Sequence, residues 1–536
     1  MKKITLFLGL LFPLSMWAGD ETLIEKTKGM NVLFIGVEDW SAEAVGCYGN
    51  DIVKTPNVDK LAKKGVQFNR AYCQGPVCNP SRASFGTGLR PDSTLVYGNG
   101  DGMDEVIPEG VKFFADILQQ NEEAEIVTSG KLVHIWSEAF RFIDGFDQVY
   151  YTHAYDKPYE GFKGEYASVM TNEEVMEDAE LVYKFLPDSK VVARLHQKRE
   201  EREARKAAGE PNTWALRKPF QQLMAEQVGD SGMSPEEMED GCIALHAKDL
   251  IGKFAENDQQ FFFSVGFYAP HTPLLAPKKY VDMYDPEEMK LSPVLAENDQ
   301  GVPMIAKRNG ANYDIFNGLY PEYGPTPERQ KEAIAAYYAC STYIDDQIGI
   351  LLEALEENGI ADNTVVIFFS DHGFHLGEHG CWSKFTLFEQ STRVPMVVYL
   401  PGAKGNGKVC DEIVELVDFA PSIYELWDVK EEHALEGISW LPLLEHPEQE
   451  WKKAAYSSIP INGLGRSVRT KRYRYAEWRE DETPDFTKDN VHAVELYDLE
   501  SDPWEQKNLA GLEEFVSVES ELRELLYKGW QAALPN

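Results

Sequence analysis

Residues 31–37 read NVLFIGV, an unbroken apolar run that ends on two carboxylates, Glu38 and Asp39. A strand with one wet face alternates, whereas a strand apolar at every position is buried on both. Working outward, residues 55–65 read as a helix: Thr55 caps it, Pro56 takes the first helical position, Val58, Leu61 and Ala62 share a face, and Gly65 stops it. Further strand-like runs lie at 124–127, 261–265, 364–369 and 394–400. Ile348, Leu351, Leu352 and Leu355 set a 3.6-residue period before the run at 364, ended by Gly359. Apolar runs alternating with helices predict an α/β fold, a mostly parallel sheet sandwiched by helices, over residues 20–400. Beyond about residue 400 the pattern turns to shorter strands, with 467–478 (SVRTKRYRYAEW) alternating as a hairpin arm does, which predicts a smaller C-terminal α+β subdomain over 401–536.

The 536 residues carry 52 Lys+Arg against 89 Asp+Glu, a net charge of −37. A protein that neutralises phosphates needs a basic face, so nucleic acid is excluded as a general partner. With 43% hydrophobic and 26% charged residues the chain is of ordinary globular composition. Residues 1–19 read as a signal peptide: Lys2 and Lys3 precede a charge-free apolar run that ends on the small residues Ala18 and Gly19. The mature chain is therefore expected in the periplasm or outside the cell, and no later segment is apolar and long enough to predict a membrane span. Seven cysteines leave one odd if six pair, and their pairing is not readable. Residues 150–240 are rich in charge, most of all at 198–206 (KREEREARK), and read as a surface insertion in which Glu201 and Arg205 support a solvated helix. Ser234, Pro235 and Glu237 then carry the signature of a new helix start.

Ligands of open α/β sheets gather outside the carboxyl ends of the strands. Here those ends carry Glu38 and Asp39, Lys131 and His134, His271, Asp371 and His372, with Lys384 a short loop later. Taken singly, Asp39 or Asp371 reads as a helix cap, and a lone His or Lys as a surface group. Caps have no reason to collect three carboxylates, several imidazoles and two lysines at one edge. The carboxylates with a His point to a divalent cation, with hard oxygen ligands favouring calcium or magnesium over zinc. The Lys and His residues point to an oxyanion beside it. His375, Glu378 and His379 read equally well as groups that fix their loop.

Residues 78–91 read CNPSRASFGTGLRP. A helix started near Pro80 would turn its free N–H groups toward an anion, with Cys78 and Arg82 beside it. Cys78 then reads either as an activated nucleophile or as a buried structural cysteine, and the residues alone leave both open.

C-x-P-S-R followed by T-G-x-R-P (Cys78, Pro80, Ser81, Arg82, Thr87, Gly88, Arg90, Pro91) resembles the signature of the type I sulfatases of the alkaline phosphatase superfamily. The likeness extends to TPNVDKLA from Thr55, G-K-x-x-H at 130–134, P-H-x-P at 270–273, S-D-H-G at 370–373, LGEHG from Leu376, and ELYDL-x-x-DP from Glu495. The form of G-K-x-x-H and S-D-H-G is most similar to the iduronate-2-sulfatase branch. The resemblance implies an alkaline-phosphatase-like fold and a Cys78 converted to Cα-formylglycine by a maturation enzyme, which would also account for the odd thiol. It implies a hydrate of that aldehyde as the nucleophile, and calcium, with magnesium second, held by Glu38, Asp39, Asp371 and His372. Arg82 and Lys384 would bind the sulfuryl oxygens, Lys131 and His134 orient the nucleophile, and His271 protonate the leaving oxygen. The implied substrate is a sulfated saccharide. Two rival readings are a phosphoesterase or phosphonate monoester hydrolase of the same superfamily, and a non-catalytic sulfoglycan-binding protein with Cys78 unmodified. Glu38 stands where most of the family has Asp, and Ala269 where the similar branch often has Lys. The basic stretch Arg466, Arg469, Lys471, Arg472 and Arg474 is placed near the pocket by the same analogy, with a solvated strand face as the alternative.

Overall fold

In the computed structural model the strand Asn31–Val37 (β1) has every residue buried. The structure describes residues 27–134, 143–152, 163–169, 204, 228–294, 296–307, 326–460, 463–479 and 490–535. The signal-peptide reading and most of the charged insertion, including 198–206, lie outside them. Val32 and Phe34 point into one apolar cluster, and Leu33, Ile35 and Val37 into another on the opposite face. A run without polar positions is what such a two-sided strand needs, each large side chain contributing roughly 1.5–3 kcal/mol on burial. Gly36 is small because the Phe369 ring lies 3.2 Å from where its Cβ would stand.

The helix Pro56–Lys64 (α1) follows and ends at Gly65, with Val58, Leu61 and Ala62 buried; Thr55 holds the N-cap position without a side-chain cap bond, its hydroxyl accepting from the Gly46 N–H, and the Asn57 and Val58 N–H groups donate instead to the Asp345 carboxylate. In chain order come β2 (Val66–Tyr72), α2 (Cys78–Thr87), β3 (Glu125–Gly130), β4 (Gln148–Tyr151), β5 (Glu165–Ser168), α3 (Glu239–Glu256), β6 (Phe261–Phe267), α4 (Pro327–Glu357), β7 (Thr364–Ser370), β8 (Arg393–Val394), β9 (Met396–Tyr399), β10 (Val409–Glu415) and α5 (Phe419–Trp427). The ten-stranded sheet has the order β8-β2-β9-β7-β1-β6-β3-β4-β5, with β10 on β2. It is mostly parallel. The apolar run 394–400 departs from that: Pro395 splits it into β8 and β9, and both lie antiparallel to β2. A strand's direction is set by its connections, which its own apolar residues do not encode.

Three further readings are corrected. The Ser234–Glu237 signature forms a turn in which the Glu237 side chain accepts from the Ser234 N–H, and α3 begins two residues later at Glu239. All seven cysteines are free, so no odd thiol is left over by pairing. The basic stretch 466–474 is neutralised: Arg466 pairs with Asp92, Arg469 with Glu389, Lys471 with Glu412, Arg472 with Asp498, and Arg474 with Glu495 and Glu505.

A second, antiparallel sheet follows: β11 (Ala454–Pro460), β12 (Leu464–Thr470), β13 (Tyr473–Arg479) and β14 (Val491–Asp498), with α6 (Val516–Lys528) behind it. It is joined to the large sheet beside α2, where the Ser458 N–H donates to the Gln74 carbonyl at 2.8 Å and the Ser457 hydroxyl to the Cys73 carbonyl at 2.6 Å. Among the described residues no helix is long and apolar enough to cross a membrane.

Candidate active site

The parallel register assembles the site. Val37 lies opposite both Phe267 and Ser370, and Gly130 opposite Gly266, so four strands end on one line and the residues after them meet. The approach between β3 and β6 is tight: a Cβ on Gly130 would fall 2.1 Å from the Gly266 carbonyl oxygen, and one on Gly266 2.0 Å from that of Lys131. Asp39 sits at φ 58°, a left-handed turn held by its N–H on Asp371 Oδ1 at 3.1 Å. The Tyr337 hydroxyl donates to the Asp39 carbonyl and accepts from the Ser41 N–H at 2.9 Å. Reading the sequence did not single out Tyr337; its place in the apolar pattern of α4 hides a hydroxyl aimed at the sheet edge.

Cys78 opens α2, all ten residues of which are buried, and Arg82 stands one turn further on the same face. No side chain of Val77 caps the helix; instead the Asn79 N–H donates to Asn99 Oδ1 at 3.0 Å. Cys78 Sγ lies 3.4 Å from both Lys384 Nζ and His372 Nε2. Lys384 also donates to Asp39 at 2.6 and 2.9 Å, Lys131 pairs with Glu38, and Arg82 reaches Asp371 Oδ2 at 2.9 Å while donating to the carbonyls of Lys131 and Leu132. His271 Nε2 stands 4.0 Å from Glu38 and 3.9 Å from Asp39, and is the most exposed member of the set, its side chain 34% accessible. His134 is buried within the fields of Lys131, Glu38 and Arg82. The ten residues read from the sequence thus come together.

His375 and His379 do not join them. His375 bonds Thr386 and faces Glu378, while His379 bonds Asp299 at 2.9 Å and stacks on Phe388. They fix their loop.

Electrostatics are extreme at this edge. Burial would lift the Glu38 carboxyl, but Lys131, His271, Arg82 and Lys384 outweigh it and hold it well below the usual carboxylate range. Asp39 is also held low, burial being overcome by Lys384, His271 and His372. Burial pushes the Cys78 thiol up despite Lys384, so as a plain cysteine it stays protonated and a weak nucleophile. Burial drives His134 and His372 toward the neutral form.

Glu38, Asp39, Cys78 and His271, and again Cys78, Asp371 and His372, could each hold a metal ion. The residues fit one for a physical reason. His372 Nδ1 faces the Gly373 carbonyl at 2.9 Å and must donate to it, which leaves the neutral ring's Nε2 as a lone pair 3.2 Å from Asp39 Oδ1. Two acceptors so close, beside two more carboxylates, call for a cation between them.

Comparison with known proteins gives the family. A model of the family described as Sulfatase matches residues 30–429, and one described as N-sulphoglucosamine sulphohydrolase, C-terminal matches residues 377–531. The chain belongs to the sulfatase family and is a sulfuric ester hydrolase. It is 27% identical to iduronate 2-sulfatase from Homo sapiens over 94% of this chain and 96% of that protein. Among solved structures, the phosphonate monoester hydrolase of Agrobacterium radiobacter superposes with a TM-score of 0.69 at 23% identity, covering 93% of this chain and 95% of that one. BT4656 in complex with its substrate D-glucosamine-2-N,6-O-disulfate gives 0.65 at 21% identity, covering 94% and 98%. These two show a shared fold.

Proposed function

We propose that the protein hydrolyses a sulfate ester on a carbohydrate, working as an exported enzyme on a sulfated saccharide. The observation that carries this reading is the convergence on Cys78 Sγ of Lys384 and His372, each at 3.4 Å, at the start of a buried helix that also presents Arg82. Oxidation of Cys78 to Cα-formylglycine supplies, on hydration, a hydroxyl nucleophile that the protonated thiol is not. Glu38, Asp39, Asp371 and His372 would hold a divalent ion, calcium or magnesium by the hardness of the donors and calcium first by the family resemblance, and it would supply positive charge to the site. Arg82 and Lys384 bind the sulfuryl oxygens as charge grows on them, in a site where burial keeps water from screening the attraction. Lys131 and His134 orient position 78. His271 Nδ1 is spent on the Thr272 carbonyl at 2.8 Å, so the proton for the leaving oxygen comes from Nε2, the ring atom that faces Glu38 and Asp39. Human iduronate 2-sulfatase and the disulfated glucosamine bound by BT4656 support a saccharide substrate.

The test has two parts. Peptide mass analysis of position 78 from the native host should show the loss of mass that aldehyde formation brings; an unconverted cysteine would leave a binding protein. Turnover of 4-nitrophenyl sulfate should then exceed that of the phosphate, and phosphate dominance would move the protein to the phosphoesterase class. A panel of defined sulfated saccharides names the sugar.

A further inference from the structure

We infer that Asp240 is a positioning residue for the reaction, its carboxylate fixing the 268–271 turn so that His271 faces the edge that carries Glu38 and position 78. Asp240 lies in the first turn of α3 and is buried. One of its oxygens accepts the Tyr268 N–H at 2.7 Å and the other the Ala269 N–H at 3.0 Å. The Tyr268 carbonyl in turn accepts the His271 N–H at 2.9 Å, which closes the turn that aims the imidazole. The Tyr268 ring lies under Lys131 Nζ, 5.7 Å from its centroid. One carboxylate therefore fixes the backbone that leads to His271.

A purely structural clamp does not need a charge here. Among the described residues no Lys, Arg or His pairs with Asp240. The groups that face it are Glu239 and Cys242 on its own helix, Cys340 and Tyr343 on α4, and Glu38 after β1, none of them cationic. Burying an anion in such company is costly, and a Ser or Asn cap would spare that cost. Burial, with Glu239 second, raises its acid to about 7 against the pull of the two N–H donors. What the carboxylate offers and those caps lack is two equivalent acceptors 2.7 and 3.0 Å from consecutive N–H groups, a fork that fixes the peptide plane leading to His271.

This proposal rests on His271 as the proton donor, and the experiment keeps the two apart. The rates of full-length Asp240→Asn, Asp240→Glu, His271→Ala and the Asp240→Asn/His271→Ala double variant are measured on substituted phenyl sulfates, from 4-nitrophenyl to unsubstituted phenyl. His271→Ala should make the rate depend more steeply on the leaving group. Asp240→Asn, which keeps one acceptor oxygen, should do the same more weakly, lowering kcat by about 10-fold or more on phenyl sulfate and by about 3-fold or less on the nitrophenyl ester, with KM little changed. The double variant should be no slower than His271→Ala alone, and Asp240→Glu should recover part of the loss. A flat His271→Ala response overturns the acid reading without reference to Asp240. A steep His271→Ala response with equal Asp240→Asn losses across the series, or losses that add in the double variant, overturns the positioning role. If neither Asp240 variant folds, the carboxylate is structural and the proposal falls.

Discussion

Two clusters of buried charge in this molecule are built from the same residue types, and only one of them is the candidate site. Around Glu415, Arg90 donates at 2.7 and 2.6 Å, Lys452 at 2.8 Å and the Tyr456 N–H at 2.9 Å, while Lys452, Ile438 N–H and Glu415 N–H serve Asp418. Both carboxylates there are covered by donors from several sides, and among the described residues the Arg90 Nε–H is the one group of the cluster left without an acceptor. At the sheet edge the lone pairs of His372 and Asp39 face each other, and Lys384 spends part of its reach on Cys78, a side chain with no charge to offer. Burial of charge does not distinguish the two. Surplus of donors on one side and of acceptors on the other, aimed at a common point that His271 opens to solvent, does.

The sharpest way to break this comparison is Cys78→Ala, expected to lower turnover by at least about 10⁴-fold while the thermal midpoint moves by no more than a few degrees, read by aryl sulfate assay and calorimetry. A variant that turns over at wild-type rate would remove the edge cluster from catalysis. Next is chelation of divalent ions, which should lower turnover by about 10²-fold or more and be reversed better by calcium than by magnesium. Arg474→Ala is the contrasting case, in a buried ion-pair cluster away from the sheet edge. It leaves Glu495 and Glu505 buried without their cation, so it should cost about 3–5 kcal/mol in denaturant unfolding with kcat per folded molecule unchanged.

The pH response sharpens the same contrast. Burial would raise the Glu415 acid, but Arg90 and Lys452 lower it to about 2 from 4.5. A carboxyl depressed by folding stabilises above its unfolded value and loses that stabilisation as pH falls through its folded one. The stability gap between wild type and Glu415→Gln should therefore be about 3 kcal/mol near neutrality and close between about pH 4.5 and pH 2. A gap constant over that range would show that the amide loses geometry, not charge. Smallest of all, Lys64→Ala breaks a pair with Glu356 in which both side chains are more than half exposed, and should change stability by less than about 0.5 kcal/mol.

How far the sequence could be read follows the range of the interactions involved. β1, α1 and β7 fall where their apolar runs and end residues place them, because those signals act within a few residues. The run at 394–400 looked like one more parallel strand, and its break at Pro395 and reversed direction depend on the connection that precedes it. β10, with its sequence VCDEIVE, was not read as a strand of the large sheet, because acidic residues interrupt a pattern that only its neighbour β2 completes. The basic stretch 466–474 shows five cations in sequence, while the carboxylates that neutralise them come from positions 92, 389, 412, 495, 498 and 505. Asp240 gives no sign of its role, since it reads as an acidic residue in a helix's first turn.

By itself the sequence determined the α/β plan, the candidate set of site residues and their ends-of-strand placement, because strand burial and the C-x-P-S-R signature are local patterns of residue type. Which charges are spent on each other and which are left aimed at Cys78 was decided only by the tertiary structure. Register brings the ends of β1, β3, β6 and β7 to one line, and pairing across hundreds of residues has no local trace in the chain.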